Sequence, residues 1–215
     1  MSRIKKWYNL SNDELSKLKV SCDFQTPLNV AEYMCSLVPE GTRSVLEPTP
    51  GLGNIVKYLS DYDVTAPEDF FTLEKSMFDC IIMNPPFSSR YAYGMPDDKK
   101  YSGMKIGYYI LTECMKMSNN IIALVPWFTL SDSDIRLRHI KHFGLKSITA
   151  LPRITFEYAR IQTCIIELSK GYDGETIFRL FGDICENQNF NQQTNKRVYS
   201  KKYKKEKDQL KIFKE

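Results

Sequence analysis

From Phe78 to Met83 the chain is apolar except at Asp79, and it then runs directly into Asn84-Pro85-Pro86-Phe87. An apolar run this short reads as a strand covered on both faces rather than a half-exposed one. Two consecutive prolines fix the backbone and remove two N–H donors, so neither strand nor helix continues through them. The fold must therefore contain a buried strand whose carboxyl end is a rigid turn.

The rest of the chain supplies the layers that such a strand needs. Thr26-Pro27 precedes Val30, Ala31, Met34, Leu37 and Val38 at helical spacing, with Pro27 suited to a first turn. Ser44 to Glu47 reads as a short strand entering Pro48-Thr49-Pro50-Gly51-Leu52-Gly53, and a helix from Asn54 to about Ser60 should follow. Val64 opens another short strand. Residues 88–104 read as a loop, Tyr108 to Met117 as a helix, and Ile121 to Val125 as a buried strand ending at Pro126. Asp132 to Phe143 reads as a helix, then Ser147 to Leu151 and Thr163 to Leu168 as strands. Ser11 to Val20 adds a helix-start signal near the amino end. Alternating strands and helices predict an open, mostly parallel α/β sheet covered on both faces, and the last two strands a closing antiparallel hairpin. In such sheets ligands bind at the carboxyl ends of strands, where strand order switches. The glycine turn and the Asn-Pro-Pro-Phe turn both fall there.

Each turn suggests chemistry. Gly51 and Gly53 let the backbone bend sharply and approach a ligand, with Glu47 placed to face a cationic or hydroxylated group. A glycine pair after a strand is also an ordinary tight connection, and the pattern of a Walker phosphate loop is absent. At the second turn, the Asn84 side-chain oxygen and the Pro85 carbonyl can accept both N–H groups of an exocyclic amine. Phe87 can stack on the ring that carries it.

Charge and cysteine content limit the alternatives. With 42% hydrophobic and 26% charged residues, the chain has the composition of an ordinary globular protein. No apolar run approaches the roughly 20 residues needed to span a bilayer. Basic Met1–Leu10 is followed by no hydrophobic signal, so a cytoplasmic protein is expected. Six scattered cysteines without a C-x-x-C pair read as structural thiols, not metal ligands or disulfides, and His139 and His142 as solvated helix residues. The net charge of +4 is concentrated at the end: Lys196–Glu215 carries nine Lys/Arg against three acids, with Tyr199, Tyr203 and Phe213 interleaved. That tail is either a phosphate-gripping segment or a solvated terminus.

VLEPTPGLG (Val45–Gly53) resembles the cofactor turn of N6-adenine DNA methyltransferases, and IIMNPPF (Ile81–Phe87) resembles their catalytic tetrapeptide with its strand. The order of elements is similar to the gamma class, which includes the methylation subunits of type I restriction-modification systems. Phe24-Gln25-Thr26-Pro27 resembles the segment at the methionine end of S-adenosylmethionine. Glu68-Asp69-Phe70-Phe71 resembles the segment whose acid and aromatic hold the cofactor adenine. Val125-Pro126 resembles the next strand end. Leu151-Pro152, Phe156 and Gln162-Thr163-Cys164-Ile165 resemble the C-terminal hairpin. These matches span roughly residues 22–168.

The resemblance implies a Rossmann-like methyltransferase domain over 1–170, with 1–21 as a helical extension and 171–215 as a basic extension. It implies S-adenosylmethionine bound by Phe24, Thr26, Pro27, Glu47, Pro48, Gly51, Gly53, Asp69 and Phe70. Catalysis would fall to Asn84, Pro85, Pro86 and Phe87, with adenine flipped from DNA and packed between Phe87 and Phe156. Tyr91, Tyr93, Lys99, Lys100 and Lys105 would contact phosphates or remain a solvated loop.

Two departures stand out. About thirty residues separate Gly53 from Asn84, where the family has a further strand and helix that carries the ribose acid; Asp61, Asp63 and Glu68 are the candidate substitutes, none in a clear matching position. Fewer than fifty residues follow Leu168, too few for a target-recognition domain, so a specificity or catalytic partner subunit is one expectation and low specificity another. Other readings are an RNA adenine or guanine amino-methyltransferase and a non-catalytic nucleic-acid-binding subunit. A protein glutamine methyltransferase is disfavoured by Phe87, where that turn has tyrosine.

Overall fold

The computed structural model describes residues 25–87, 105–153, 155–156 and 161–182. The expected helix at 11–20, Phe24, the loop residues 88–104 and the basic tail lie outside the described residues.

Among the described residues, seven strands form one sheet in the order β2-β1-β3-β4-β6-β5-β7. They are β1 (Ser44–Leu46), β2 (Asp63–Thr65), β3 (Cys80–Met83), β4 (Asn120–Pro126), β5 (Leu145–Ala150), β6 (Thr163–Ser169) and β7 (Ile177–Leu180). The helices are α1 (Leu28–Ser36), α2 (Lys105–Cys114), α3 (Phe128–Ser131) and α4 (Asp134–Gly144). Pairing is parallel throughout except that β6 runs antiparallel to β4 and β5. The mostly parallel sheet and the closing antiparallel pair are as the sequence predicts.

Burial follows from this order. β3 and β4 are covered on both faces, and Cys80 to Met83 are all fully buried. Successive side chains of a strand point to opposite faces. Ile81 and Met83 join a core with Ile121, Ala123, Ile106, Ile110 and Ile140 on the α2 and α4 side. On the other side, Tyr33 of α1 bonds Thr149 of β5 at 3.0 Å and packs edge-to-face on Phe181. Each fully buried Leu, Ile or Met contributes about 1.5–3 kcal/mol relative to exposure. Burial also raises the thiols of Cys35, Cys80 and Cys164 to about 12, the inert state expected of packed cysteines.

Three expectations need correction. The helix expected from Asn54 to about Ser60 is only a 3-10 turn, Val56–Tyr58. The chain must return to β2 within a few residues, and its i→i+3 bonds, Tyr58 N to Ile55 O and Leu59 N to Val56 O, are the tighter turn that permits this. The helix expected from Asp132 starts after Ser133, whose hydroxyl accepts from Arg136 N at 3.3 Å. Finally, the sheet does not stop before residue 170. β7 lies inside the stretch read as a basic extension and pairs with β5 from Ser147↔Ile177 to Ala150↔Leu180. Four residues, three of them exposed, give too little alternation to be read from sequence.

The shortening itself is present. Between β2 and β3 there is only a 3-10 turn, Phe70–Thr72, so β2 forms the edge of the sheet. No described helix is long and apolar enough to cross a membrane.

Candidate active site

The chain leaves β1 for β2 on one side and returns to β3 on the other. That reversal is the switch point, and the glycine turn and the Asn-Pro-Pro-Phe turn flank it. β1 delivers Glu47 into the interior, 1% exposed. Its Oε1 accepts from Thr49 N at 3.0 Å and lies 3.4 Å from Thr49 Oγ1. Burial pushes the Glu47 carboxyl up to about 8, against the two Thr49 bonds that lower it. A buried carboxyl held near neutrality is poised to accept a cation or to donate a proton.

The glycine turn itself is left-handed at Gly51 (φ 51°) and Gly53 (φ 73°). Leu52 N donates to Gln25 Oε1 at 2.9 Å. A Cβ on Gly51 would stand 2.6 Å from that same oxygen, which the Gln25 side chain could move aside, so it is the left-handed backbone angle that requires glycine there.

At the other turn, Asn84 Nδ2 donates to Thr26 Oγ1 at 3.0 Å. Thr26 O in turn accepts from Asn54 Nδ2 at 2.9 Å, and Thr49 Oγ1 donates to Asn84 O at 3.2 Å. The backbone carbonyl of Asn84 is thus engaged by Thr49. Thr26 and Thr49 tie the two turns together across a polar cleft lined by Gln25, Thr26, Glu47, Thr49, Asn54 and Asn84. Sequence reasoning named Gln25 only within its segment and did not single out Thr49 and Asn54, because nothing in their spacing announces contacts to Leu52, Asn84 and Thr26 that form only in the assembled fold.

Behind the cleft, Phe87 is 2% and Phe156 4% exposed. Their rings meet edge-to-face at 87°, with centroids 5.8 Å apart. Phe156 is brought there by the bend after β5, where Gln162 Nε2 and Leu151 O are bonded at 2.6 Å and Thr155 N donates to Pro152 O. α2 packs closely under the turn: a Cβ on Gly107 would sit 2.9 Å from Pro86 O.

No family model matches the chain, and no curated protein matches it. Solved structures do. A methyltransferase subunit of a type I restriction-modification system from Streptococcus thermophilus superimposes with a TM-score of 0.57 at 18% identity, over 74% of this chain and 47% of that one. The M protein of the type I restriction enzyme EcoKI gives 0.51 at 14% identity, over 71% of this chain and 45% of its own. A protein from Listeria monocytogenes described as a class I S-adenosylmethionine-dependent methyltransferase gives 0.55 at 16% identity, over 90% and 79%. The fold is that of the class I S-adenosylmethionine-dependent methyltransferases. The chain spans about half the length of the type I subunits that it matches.

Within this methyltransferase fold, the residues read from sequence divide into two groups. Thr26, Glu47, Gly51 and Asn84 converge on one cleft, with Pro48 and Gly53 buried in the same turn. Asp69 and Phe70 are not among its lining residues. Asp69 Oδ1 accepts from Phe71 N at 2.9 Å and so caps the 3-10 turn, while Phe71 stacks on Tyr109 of α2. The replacements considered for the ribose acid also separate. Asp63 pairs with Ser44 at the amino end of β1, and Asp61 precedes it, so both lie at the wrong end of the sheet. Glu68 follows the carboxyl end of β2 at Thr65 and stands at the correct end.

Proposed function

We propose that this protein transfers a methyl group from S-adenosylmethionine to the N6 amine of adenine in DNA. The observation that carries this reading is the hydrogen-bonded tie Glu47–Thr49–Asn84–Thr26, which couples a glycine turn to an Asn-Pro-Pro-Phe turn at the switch point.

The cleft fits a sulfonium cofactor on its own chemistry: a buried carboxyl of raised pKa, two left-handed glycines and several polar side chains. Thr26, Glu47, Gly51 and Gly53 would hold it, with Glu68 or Asp69 toward the ribose and adenine end. When bound it supplies an already activated methyl group, so the protein's task is alignment and exclusion of water. Because Thr26 takes the Asn84 amide nitrogen, Asn84 Oδ1 is directed to the opposite side. There it would accept one N–H of the substrate amine, with the Pro85 carbonyl accepting the other. Phe87 would stack on the base. The sequence reading placed the base between Phe87 and Phe156, but those rings are in mutual contact, so Phe156 must withdraw before a base enters.

The reading is tested by titrating S-adenosylmethionine into the purified chain by calorimetry and then offering DNA and RNA as methyl acceptors. Cofactor binding with methyl transfer to DNA adenine is expected. Transfer to RNA alone would shift the substrate, and no binding by folded protein would overturn the reading.

Gly107 acts here as a positioning residue. Gly107→Ala adds a methyl group 2.9 Å from Pro86 O, while alanine gains up to about 1 kcal/mol in helix propensity. We expect near-unchanged melting and cofactor affinity with about tenfold lower turnover, since small misplacements of reacting groups are costly. Equal turnover in variant and parent would exclude the positioning role.

A further inference from the structure

α2 carries the catalytic turn on Gly107, and the next residue, Tyr108, carries something else. Its hydroxyl lies 2.7 Å from His139 Nδ1 of α4. The Arg136 guanidinium sits over the same ring, with Cζ 5.4 Å from the centroid. Arg136 and His139 are three apart on α4, so they share a face. Arg136 is half-buried and His139 exposed, with Arg138 and Lys105 also exposed nearby in sequence on their helices.

These groups are pre-organised rather than loosely solvated. A guanidinium held on an aromatic face loses less freedom on binding than a solvated one, and its fork matches phosphate oxygens. If the Tyr108 hydroxyl donates to His139 Nδ1, the ring proton resides on Nε2, leaving a second donor beside the guanidinium. Lys141 is different: it bonds Gly174 O and Thr176 Oγ1, so it serves the loop before β7. The acids Asp132 and Asp134 precede Arg136, and Asp134 is two residues away, off the Arg136–His139 face.

Position matters as much as composition. α4 follows the carboxyl end of β4, and α2 precedes its amino end, so Lys105, Tyr108 and Arg136 all lie toward the carboxyl edge of the sheet, as do both turns of the cleft. We propose that Arg136 and His139, braced by Tyr108, grip the phosphodiester backbone of the DNA whose adenine enters the cleft. This rests on the DNA reading above and adds to it the surface that holds the strand. Phosphate contacts of this kind fix register without reading bases, which suits a chain whose described residues hold only the methyltransferase sheet and its helices.

The test is the salt dependence of duplex DNA binding by the full chain, followed by fluorescence anisotropy. Arg136→Ala is compared with Lys116→Ala, an equal charge loss two residues past the end of α2, while His139→Ala removes a neutral donor and is scored by its affinity alone. Lys116 is exposed and bonded to Glu113. Removing one phosphate-binding cation should flatten the log–log slope by about 1. Arg136→Ala should therefore bind about three- to tenfold more weakly at low salt with a flatter slope, as ordinary phosphate contacts do. Lys116→Ala should match the parent. If Arg136→Ala does not fold, Arg136→Gln keeps the stem over Tyr108 and replaces it. A slope for Arg136→Ala equal to that of Lys116→Ala, or an unchanged affinity in His139→Ala, would overturn the proposal, as would a parent that binds an RNA hairpin but not duplex DNA. Methyl transfer with unaltered slopes would sink this surface and spare the enzyme. Altered slopes in a protein that transfers no methyl would do the reverse.

Discussion

Asn84→Ala is expected to lower methyl transfer by about a hundred- to a thousandfold, the scale seen when one preorganised hydrogen-bonding group is removed from an active site. The argument rests on where the side chain is held. Its nitrogen is engaged by Thr26 Oγ1 at 3.0 Å, so its oxygen is fixed in one direction without adjustment during reaction. Truncation removes that acceptor and leaves the Thr26 hydroxyl without this partner, a loss of about 0.5–1.5 kcal/mol in stability. Thr26 O keeps its bond to Asn54 and Glu47 its bond to Thr49, so cofactor affinity should change little. Single-turnover rates and calorimetric titration on the same preparation separate the two effects. Parental turnover in the variant would remove Asn84 from catalysis, and joint loss of cofactor binding would make it structural.

The second large effect concerns pH. Glu47 has its carboxyl raised from 4.5 to about 8, chiefly by burial. At pH 7 only about a tenth of it is ionised by that value. A cofactor carrying a sulfonium and an ammonium favours the ionised form, so binding should release a proton. Apparent affinity should then rise by up to about tenfold per pH unit toward 8 and level off above it. Glu47→Gln should bind more weakly and lose the slope. Calorimetry in buffers of different ionisation enthalpy measures the proton directly, and no proton release by the parent near pH 7 would refute the linkage.

The same shift has a consequence for the ligand-free fold. Because the folded pKa of Glu47 lies above its unfolded value, its contribution to stability is full below about 4.5 and is lost as pH rises toward 8, on the order of 5 kcal/mol in all. Asp79 runs the opposite way. Bonds from Ser44 N and Arg43 N lower its pKa, so its contribution is present above the ordinary carboxylate range and lost on acidification.

Much of the frame of this protein is legible in its amino-acid order. The apolar run at Cys80–Met83 and the prolines after it specify a central strand with a rigid end, because no other element tolerates that pattern. Helical spacing at Val30, Ala31 and Met34 likewise specifies α1. Gly51 and Gly53 mark the other turn, because their left-handed angles are strained in other residues. Distances between segments remote in the chain come from the assembled fold alone. Thr26 reaches Asn84 and Phe87 meets Phe156 because the sheet order puts β1 beside β3 and folds the end of β5 back over the turn. The 3-10 turn in place of a helix after Gly53 is set by the short return to β2, and β7 by pairing with β5 rather than by its own propensity. Local pattern fixes which face a residue turns inward. Which partner it finds there depends on strand order, a property of the assembled sheet and of no single segment.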